Sequence, residues 1–176
     1  MNILQTLVIG KKIGKFAGGL PVLLGIAGTV CGLDLLIKDA IETEVEENFP
    51  REMPGTGGKI RISRAYNQGF SEGLMDDRPE TVRCASIASV LSMLVSLGIL
   101  CGTEKNKKMK KLGMALALGG AMSNTMDRVI KGKVTDYLNI QAPVLSELIV
   151  NIGDIAITAG GFVFLLSDLI SSEKEK

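Results

Sequence analysis

Four apolar stretches are separated by charged segments along this chain. Residues 16–33 and 84–103 carry no charge, residues 112–126 carry none, and residues 148–167 carry only Asp154. A helix needs about 20 residues to cross a hydrocarbon core. A buried helix of a soluble bundle would show a charged outer face, and residues 84–103 have none. The pattern therefore predicts an all-α integral membrane protein, a single membrane-embedded domain over residues 1–176 with four transmembrane helices at about 16–38, 84–103, 112–130 and 148–168.

The distribution of lysines and acids predicts how these helices are oriented. Lysines precede the first span and make up five of the eight residues 104–111, whereas acids outnumber bases nine to five in residues 39–79. Short basic loops stay in the cytoplasm, so both termini are expected there and residues 39–83 outside. The alternation over residues 59–64 (KIRISR) predicts a short strand or hairpin on the membrane surface, with an irregular loop as the alternative. We therefore expect a small extracytoplasmic β/loop subdomain between helices 1 and 2.

The amino-acid composition excludes several classes of catalytic and binding site. The chain of 176 residues has a net charge of +1 and contains neither His nor Trp. The lack of His excludes Ser-His-Asp and Cys-His nucleophile systems and HExxH zinc sites. A net charge close to zero and an aromatic content of 4% argue against nucleic-acid binding. The three Cys lack a CxxC spacing and are expected to be packing residues; a Cys31–Cys84 bridge near the outer face is the less favoured alternative.

Polar residues lie within or at the ends of the predicted spans, where they are costly and usually mark function or a buried helix contact. They fall three or four residues apart, which places each set on one helix face: Asp34 with Lys38, Asn124 with Asp127 and Arg128, and Asn151 with Asp154.

Two acids are expected to meet just inside the outer leaflet. Asp154 would lie about 9 Å below Leu148 at 1.5 Å per residue, and Asp136 follows the third span at the same outer level. Two close carboxylates share one proton and titrate as a pair, which is the chemistry of aspartic peptide hydrolysis. Structural ion pairs, with Asp154 as a packing residue or part of a transporter's ion path, are the alternatives.

The most specific motif runs from Gly119 to Tyr137, GGAMSNTMDRVIKGKVTDY. It resembles the GGxxxNxxDRxxxGxVxDF signature of bacterial lipoprotein signal peptidases (signal peptidase II). Residues 151–154 (NIGD) are similar to that family's NxAD motif, with Gly153 where the family usually has Ala. Residues 33–38 (LDLLIK) are similar to its LDxxxK element, and residues 67–70 (NQGF) to a shortened NxGxxF element.

The resemblance implies a membrane aspartic endopeptidase, without metal or cofactor, that removes signal peptides from prolipoproteins on the N-terminal side of a diacylglyceryl-modified cysteine. Asp136 and Asp154 would be the catalytic dyad. The remaining motif residues would hold the substrate and support the site: Asn67, Asn124, Arg128, Asn151, Asp34, Lys38 and Asp127.

The resemblance also implies a place in the bacterial cytoplasmic membrane, with the active site near the outer leaflet. Diacylglyceryl prolipoproteins and membrane lipids would be its partners, and we expect a monomer. Three other hypotheses remain open at this point. They are an inactive homologue that binds lipoproteins or acts as a scaffold, a transporter or channel using Asp127 and Asp154 as an ion path, and a different intramembrane aspartic protease that cleaves unlipidated helices.

Overall fold

The computed structural model describes residues 3–69, 75, 77–103, 107–141 and 148–173, and side chains from residue 19 to residue 170 within these ranges. Several residues used in the sequence predictions lie outside the described part. They are Phe70, residues 104–106 and the C-terminal lysines, together with the side chains of the lysines before the first span.

Four helices account for most of the described chain: α1 (Ile3–Thr43), α2 (Pro79–Thr103), α3 (Lys108–Lys131) and α4 (Ile152–Glu173). The helix α1 extends beyond both ends of the predicted first span. The predicted start of the fourth helix at residue 148 is wrong, because residues 149–150 belong to a strand. Asp154 therefore lies in the first turn of α4 rather than about 9 Å along a helix at 1.5 Å per residue.

Among the described residues, three helices are long and apolar enough to cross a membrane, namely α1 from Gly19 onward, α2 and α4. The helix α3 packs against all three. It carries small residues through its middle and polar residues near its C-terminal end, and much of this length is buried. The central helix is thus the polar one, and the more apolar helices surround it.

Several charged side chains are buried between the helices, whereas many large apolar side chains lie on the outer surface of the helices. Side chains with no exposed surface include Asp34, Lys38, Asp127 and Asn151. Large apolar side chains on the helices instead face outward: Val22, Leu36, Leu91, Val95, Phe162, Leu165 and Leu169. This is the arrangement expected of helices surrounded by lipid, where polar groups face the bundle interior.

A four-stranded antiparallel sheet lies at one end of the helices, in the order β1 (Arg51–Glu52), β2 (Ile60–Asn67), β3 (Val134–Ile140) and β4 (Ile149–Val150). The predicted strand at residues 59–64 is confirmed within β2. The subdomain is not built from the segment between α1 and α2 alone, because β3 and β4 come from the connection between α3 and α4. Asp136 pairs with Ala65, so the central strands place it inside the sheet.

Two junctions hold the sheet on the helices. Gly132 ends α3 with a φ of 74°, the left-handed conformation that glycine adopts without strain, and the chain then enters β3. Arg64 of β2 donates to the carbonyl oxygens of Glu42 and Glu44 at 3.5 and 2.8 Å, at the C-terminal end of α1.

The helices α3 and α4 approach each other backbone to backbone. A Cβ on Gly160 would lie 2.5 Å from the carbonyl oxygen of Gly113, and one on Gly120 would overlap the carbonyl oxygen of Gly153. Small residues permit such close contacts between membrane helices. A Cβ on Gly153 itself would lie 2.9 Å from Oδ1 of Asn151. An alanine at this position would therefore require the Asn151 side chain to shift.

The three cysteines are unpaired, so the Cys31–Cys84 bridge is not formed. Cys31 is buried between α1 and α3, with its Sγ 3.8 Å from Sδ of Met126, whereas Cys84 is exposed.

Candidate active site

Asn151 links the two acids that the sequence singled out. Its side-chain Nδ2 donates to Oδ1 of Asp136 at 2.6 Å. Its Oδ1 accepts the backbone N–H of Asp154 at 2.8 Å, and its own backbone N–H donates to Oδ2 of Asp154 at 3.1 Å. The last two bonds form a reciprocal cap at the start of α4, with Asn151 as the N-cap residue. One asparagine therefore fixes the start of the helix and holds both carboxylates.

A second asparagine holds the other oxygen of Asp154. Nδ2 of Asn124, on α3, donates to Oδ1 of Asp154 at 2.8 Å. Oδ1 of Asn124 accepts from Nζ of Lys38 at 2.7 Å, so the orientation of the amide is set by a fully buried cation. Both oxygens of Asp154 consequently have N–H donors from different elements.

Lys38 lies at the centre of a buried ionic cluster. Its Nζ is 2.8 Å from Oδ2 of Asp34 and 3.0 Å from Oδ2 of Asp127, and none of these side chains has exposed surface. Asp34 lies four residues before Lys38 on α1, so the two share a helix face. Ser123 adds an acceptor for Lys38 at 3.3 Å and donates to Oδ2 of Asp34 at 2.6 Å. A buried cation between two carboxylates is stable only when all its partners are present.

Three hydroxyl or backbone contacts to this cluster were not predicted from the sequence. Besides Ser123, the hydroxyl of Tyr137 donates to Oδ1 of Asp34 at 2.9 Å, and the backbone N–H of Thr135 donates to Oδ2 of Asp127 at 3.4 Å. Ser123 and Tyr137 both lie within the motif at residues 119–137, but neither hydroxyl, one on α3 and one on β3, carries a distinctive sequence signal.

Burial and a like charge perturb Asp136. The side chain is 6% exposed. Burial, followed by the nearby charge of Asp154, raises the pKa of Asp136 to about 7, against the opposing effect of the hydrogen bond from Asn151. Perturbed carboxyls in a cleft are typical of acid–base sites.

The carboxylates open onto a cleft of about 330 Å³. Polar residues line one part of it and apolar residues from β3, β4 and α4 line the rest: Asn67, Asn124, Arg128, Val134, Asp136, Leu148, Ile149, Val150, Asp154, Ile157 and Thr158. A cleft that combines a few polar groups with apolar walls is the usual form of a ligand site.

Asn67 and Arg128 lie at the rim where the sheet meets α3. Oδ1 of Asn67, the last residue of β2, accepts the backbone N–H of Gly69 at 3.0 Å. Nη2 of Arg128 donates to the carbonyl oxygen of Gly69 at 2.7 Å. Both side chains therefore reach the same turn, at Gly69, in the segment between α1 and α2.

The predicted site residues fall into two groups in space. Those that line the cleft are Asn67, Asn124, Arg128, Asp136 and Asp154. Those that lie behind it, fully buried, are Asp34, Lys38, Asp127 and Asn151. Hydrogen bonds through Asn124 and Asn151 connect the two groups.

Comparisons with known proteins agree with one another. Residues 26–170 match the model of a family described as signal peptidase (SPase) II. A lipoprotein signal peptidase of Syntrophus aciditrophicus is 32% identical over 150 residues, which cover 82% of this chain and 92% of that protein. One of a Sulfurihydrogenibium species is 26% identical over 145 residues, covering 81% and 87%. A solved structure of a bacterial membrane enzyme has the same fold, with a TM-score of 0.74 at 20% identity over 89% of this chain and 92% of that one.

Proposed function

Because the chain belongs to the signal peptidase II family, we propose that it is a membrane aspartic endopeptidase in which Asp136 and Asp154 activate the water that cleaves prolipoproteins. The substrates would be diacylglyceryl-modified prolipoproteins, cut on the N-terminal side of the lipidated cysteine. The observation that carries this proposal is the position of Asn151, which hydrogen-bonds to both carboxylates at the edge of one cleft.

The two acids have different environments and therefore different roles. Asp136, with its pKa raised to about 7, holds the proton near neutral pH and donates it to the oxygen of the scissile carbonyl. Asp154, fixed by N–H donors on both oxygens, takes a proton from water as the water oxygen attacks the carbonyl carbon. The tetrahedral intermediate then collapses, the C–N bond breaks, and the leaving amine takes a proton from the pair.

Asn67 and Arg128 would orient the substrate backbone. They reach the turn at Gly69 from the sheet and from α3, respectively, and both line the cleft. An extended signal peptide could bind between this turn and the apolar wall formed by β4 and α4. Lys38 and its two carboxylate partners would support the site through Asn124, without contacting the substrate.

The arrangement of the helices suits a substrate anchored in lipid. We propose that α3 crosses the membrane as the fourth span, enclosed by the three apolar helices. Both termini would then be cytoplasmic and the sheet would lie at the outer surface of the bacterial cytoplasmic membrane. The cleft, at the junction of the sheet and the helices, would stand near the outer leaflet, where a diacylglyceryl cysteine lies.

Cleavage of a purified prolipoprotein, with and without diacylglycerol on its cysteine, tests the proposal. The chain would be compared with Asp136→Asn and Asp154→Asn, which remove the ionisable groups at nearly constant shape. We expect cleavage of the lipidated form only, and folded but inactive variants. Failure to cut either form, in an assay where a lipoprotein signal peptidase is active, would favour a binding homologue instead.

A further inference from the structure

The hydroxyl of Tyr137 joins three separate elements behind the cleft. Tyr137 follows Asp136 in β3, and successive strand residues point to opposite faces. Its side chain is 2% exposed, and its hydroxyl donates to Oδ1 of Asp34 on α1 at 2.9 Å. The same oxygen accepts the backbone N–H of Ile152, the first residue of α4, at 3.1 Å.

The bond to Ile152 occupies a backbone donor that a helix start otherwise leaves unpaired. The first N–H groups of an α-helix have no partner within the helix. Asn151 caps the N–H of Asp154, and Tyr137 accepts the N–H of Ile152. Two backbone donors of the turn that carries Asp154 are thus held by side chains. One of those side chains, Tyr137, is adjacent to Asp136 in the sequence.

The hydroxyl keeps its proton throughout the working pH range. Burial, and next the negative charge of Asp34, raise the pKa of Tyr137. The group therefore remains a donor to Asp34 while it accepts from Ile152, and its orientation is fixed by the two bonds together.

We propose that Tyr137 is a positioning residue, whose hydroxyl fixes the first turn of α4 against β3 and so sets the separation between Asp136 and Asp154. This inference rests on the proposed function, since it assigns a role within the same catalytic pair. The signature quoted above has Phe at this position, so the hydroxyl is a feature of this chain in addition to the shared ring.

Tyr137→Phe tests the inference, because it removes one oxygen and keeps the ring in place. Tyr66→Phe is the matched control, since Tyr66 lies on the neighbouring strand β2, is 48% exposed and faces Nζ of Lys133 with its ring. In the lipidated prolipoprotein assay we expect Tyr137→Phe to lower kcat roughly tenfold or more, the scale on which small misplacements act, with KM unchanged. Tyr66→Phe should retain both values.

A second readout does not depend on how much of the variant is folded. Asp136 is faced by Asp154 from α4, by Arg128 from α3 and by Lys38 from α1. If the first turn of α4 moves away in the variant, the negative charge of Asp154 raises the pKa of Asp136 less. The alkaline limb of the pH profile of activity should then shift to lower pH. If Tyr137 only stabilises the fold, Tyr137→Phe should lower the melting temperature but leave the alkaline limb of the pH profile and the kcat per folded enzyme unchanged. That result would overturn the inference.

Amide hydrogen exchange separates failure of this inference from failure of the proposed function. In Tyr137→Phe the amides of residues 152–154 should exchange faster, while those in the middle of α4 remain protected. This measurement needs no activity, so it decides the positioning role even if the unmodified chain cleaves no prolipoprotein. Unchanged exchange at residues 152–154 would refute the inference whatever the cleavage assay shows.

Discussion

The side chains of Asn151 and Asp154 cap the same helix turn reciprocally, each accepting the backbone N–H of the other at 2.8 and 3.1 Å. Two polar residues at this spacing in the sequence suggest two chemical roles, but the geometry shows a helix cap as well. The spare Nδ2 of Asn151 then reaches Asp136. Capping and contact with the second carboxylate can therefore be separated by substitution.

Asn151→Ser should keep the cap and lose the contact with Asp136, because a serine hydroxyl accepts the N–H at the third helical position but has no second donor of the same reach. We expect a melting temperature close to that of the unmodified chain and a kcat reduced by roughly tenfold or more. Asn151→Ala should lose both functions, with an additional cost of about 1 kcal/mol in stability. Equal stability of the two variants in thermal unfolding would contradict the role of the cap.

Replacing Lys38 should be among the most damaging changes to stability. Lys38→Met leaves the carboxylates of Asp34 and Asp127 buried without their shared cation, which typically costs about 3–5 kcal/mol. Lys110→Met is a suitable control, since Lys110 pairs with a half-exposed Asp168 at 2.6 Å and such pairs contribute about 1 kcal/mol or less. Thermal unfolding in detergent would compare them; similar melting temperatures would argue against a buried ionic cluster.

Activity should decline on the alkaline side of a midpoint near pH 7, the raised pKa of Asp136. The sign follows from the proposed role of Asp136 as the acid: below this pH Asp136 holds the proton that it donates, and above it that proton is lost. An ordinary carboxyl would already be ionised far below neutrality. The pH dependence of kcat/KM on a lipidated substrate would measure the midpoint.

Glu44→Gln is the control for this midpoint, because Glu44 lies in the segment between α1 and α2 and is paired with Arg51 at 2.8 Å, away from the cleft. Its removal should leave the profile unchanged. Constant activity of the unmodified chain up to strongly alkaline pH would be incompatible with Asp136 as the proton donor.

The contact between α3 and α4 should tolerate alanine at Gly161 and not at Gly160. A Cβ at Gly160 would lie 2.5 Å from Gly113 O and 2.6 Å from the backbone nitrogen of Ala117, whereas Gly161 has open space around it. We expect Gly160→Ala to cost about 1–3 kcal/mol through overpacking and Gly161→Ala to be neutral or slightly stabilising. The two melting temperatures provide the comparison, and equal values would mean that the helices are further apart than described.

The helices could be predicted from the sequence, but their ends could not. Long uncharged runs identify helices because apolar composition and length suffice for that. Residues 148–150 extend the apolar run before α4, yet two of them pair with β3. Short apolar runs suit both a strand and a helix. The predicted position of Asp154 along the fourth helix was therefore wrong.

The sheet was only partly predictable for a different reason. The strand β2 shows local alternation, but β3 is buried along much of its length and includes Asp136 and Tyr137, so it lacks a solvent-facing side. It pairs with residues far away in the sequence. Similarly, the polar residues of the cluster were identified by helical spacing, while Ser123 and Tyr137 were not, because their partners lie on other elements.

Asp136 stands in a strand whose neighbours come from opposite halves of the chain, β2 on one side and β4 on the other. The segment between α1 and α2 therefore cannot be exchanged independently of the strand that carries Asp136. A chimera that imported this segment from a relative would also replace one of the two backbones to which the acid-bearing strand is hydrogen-bonded. A change at the turns between strands would leave the pairing of β2 with β3 in place, whereas a change of register within β2 would place another residue opposite Asp136.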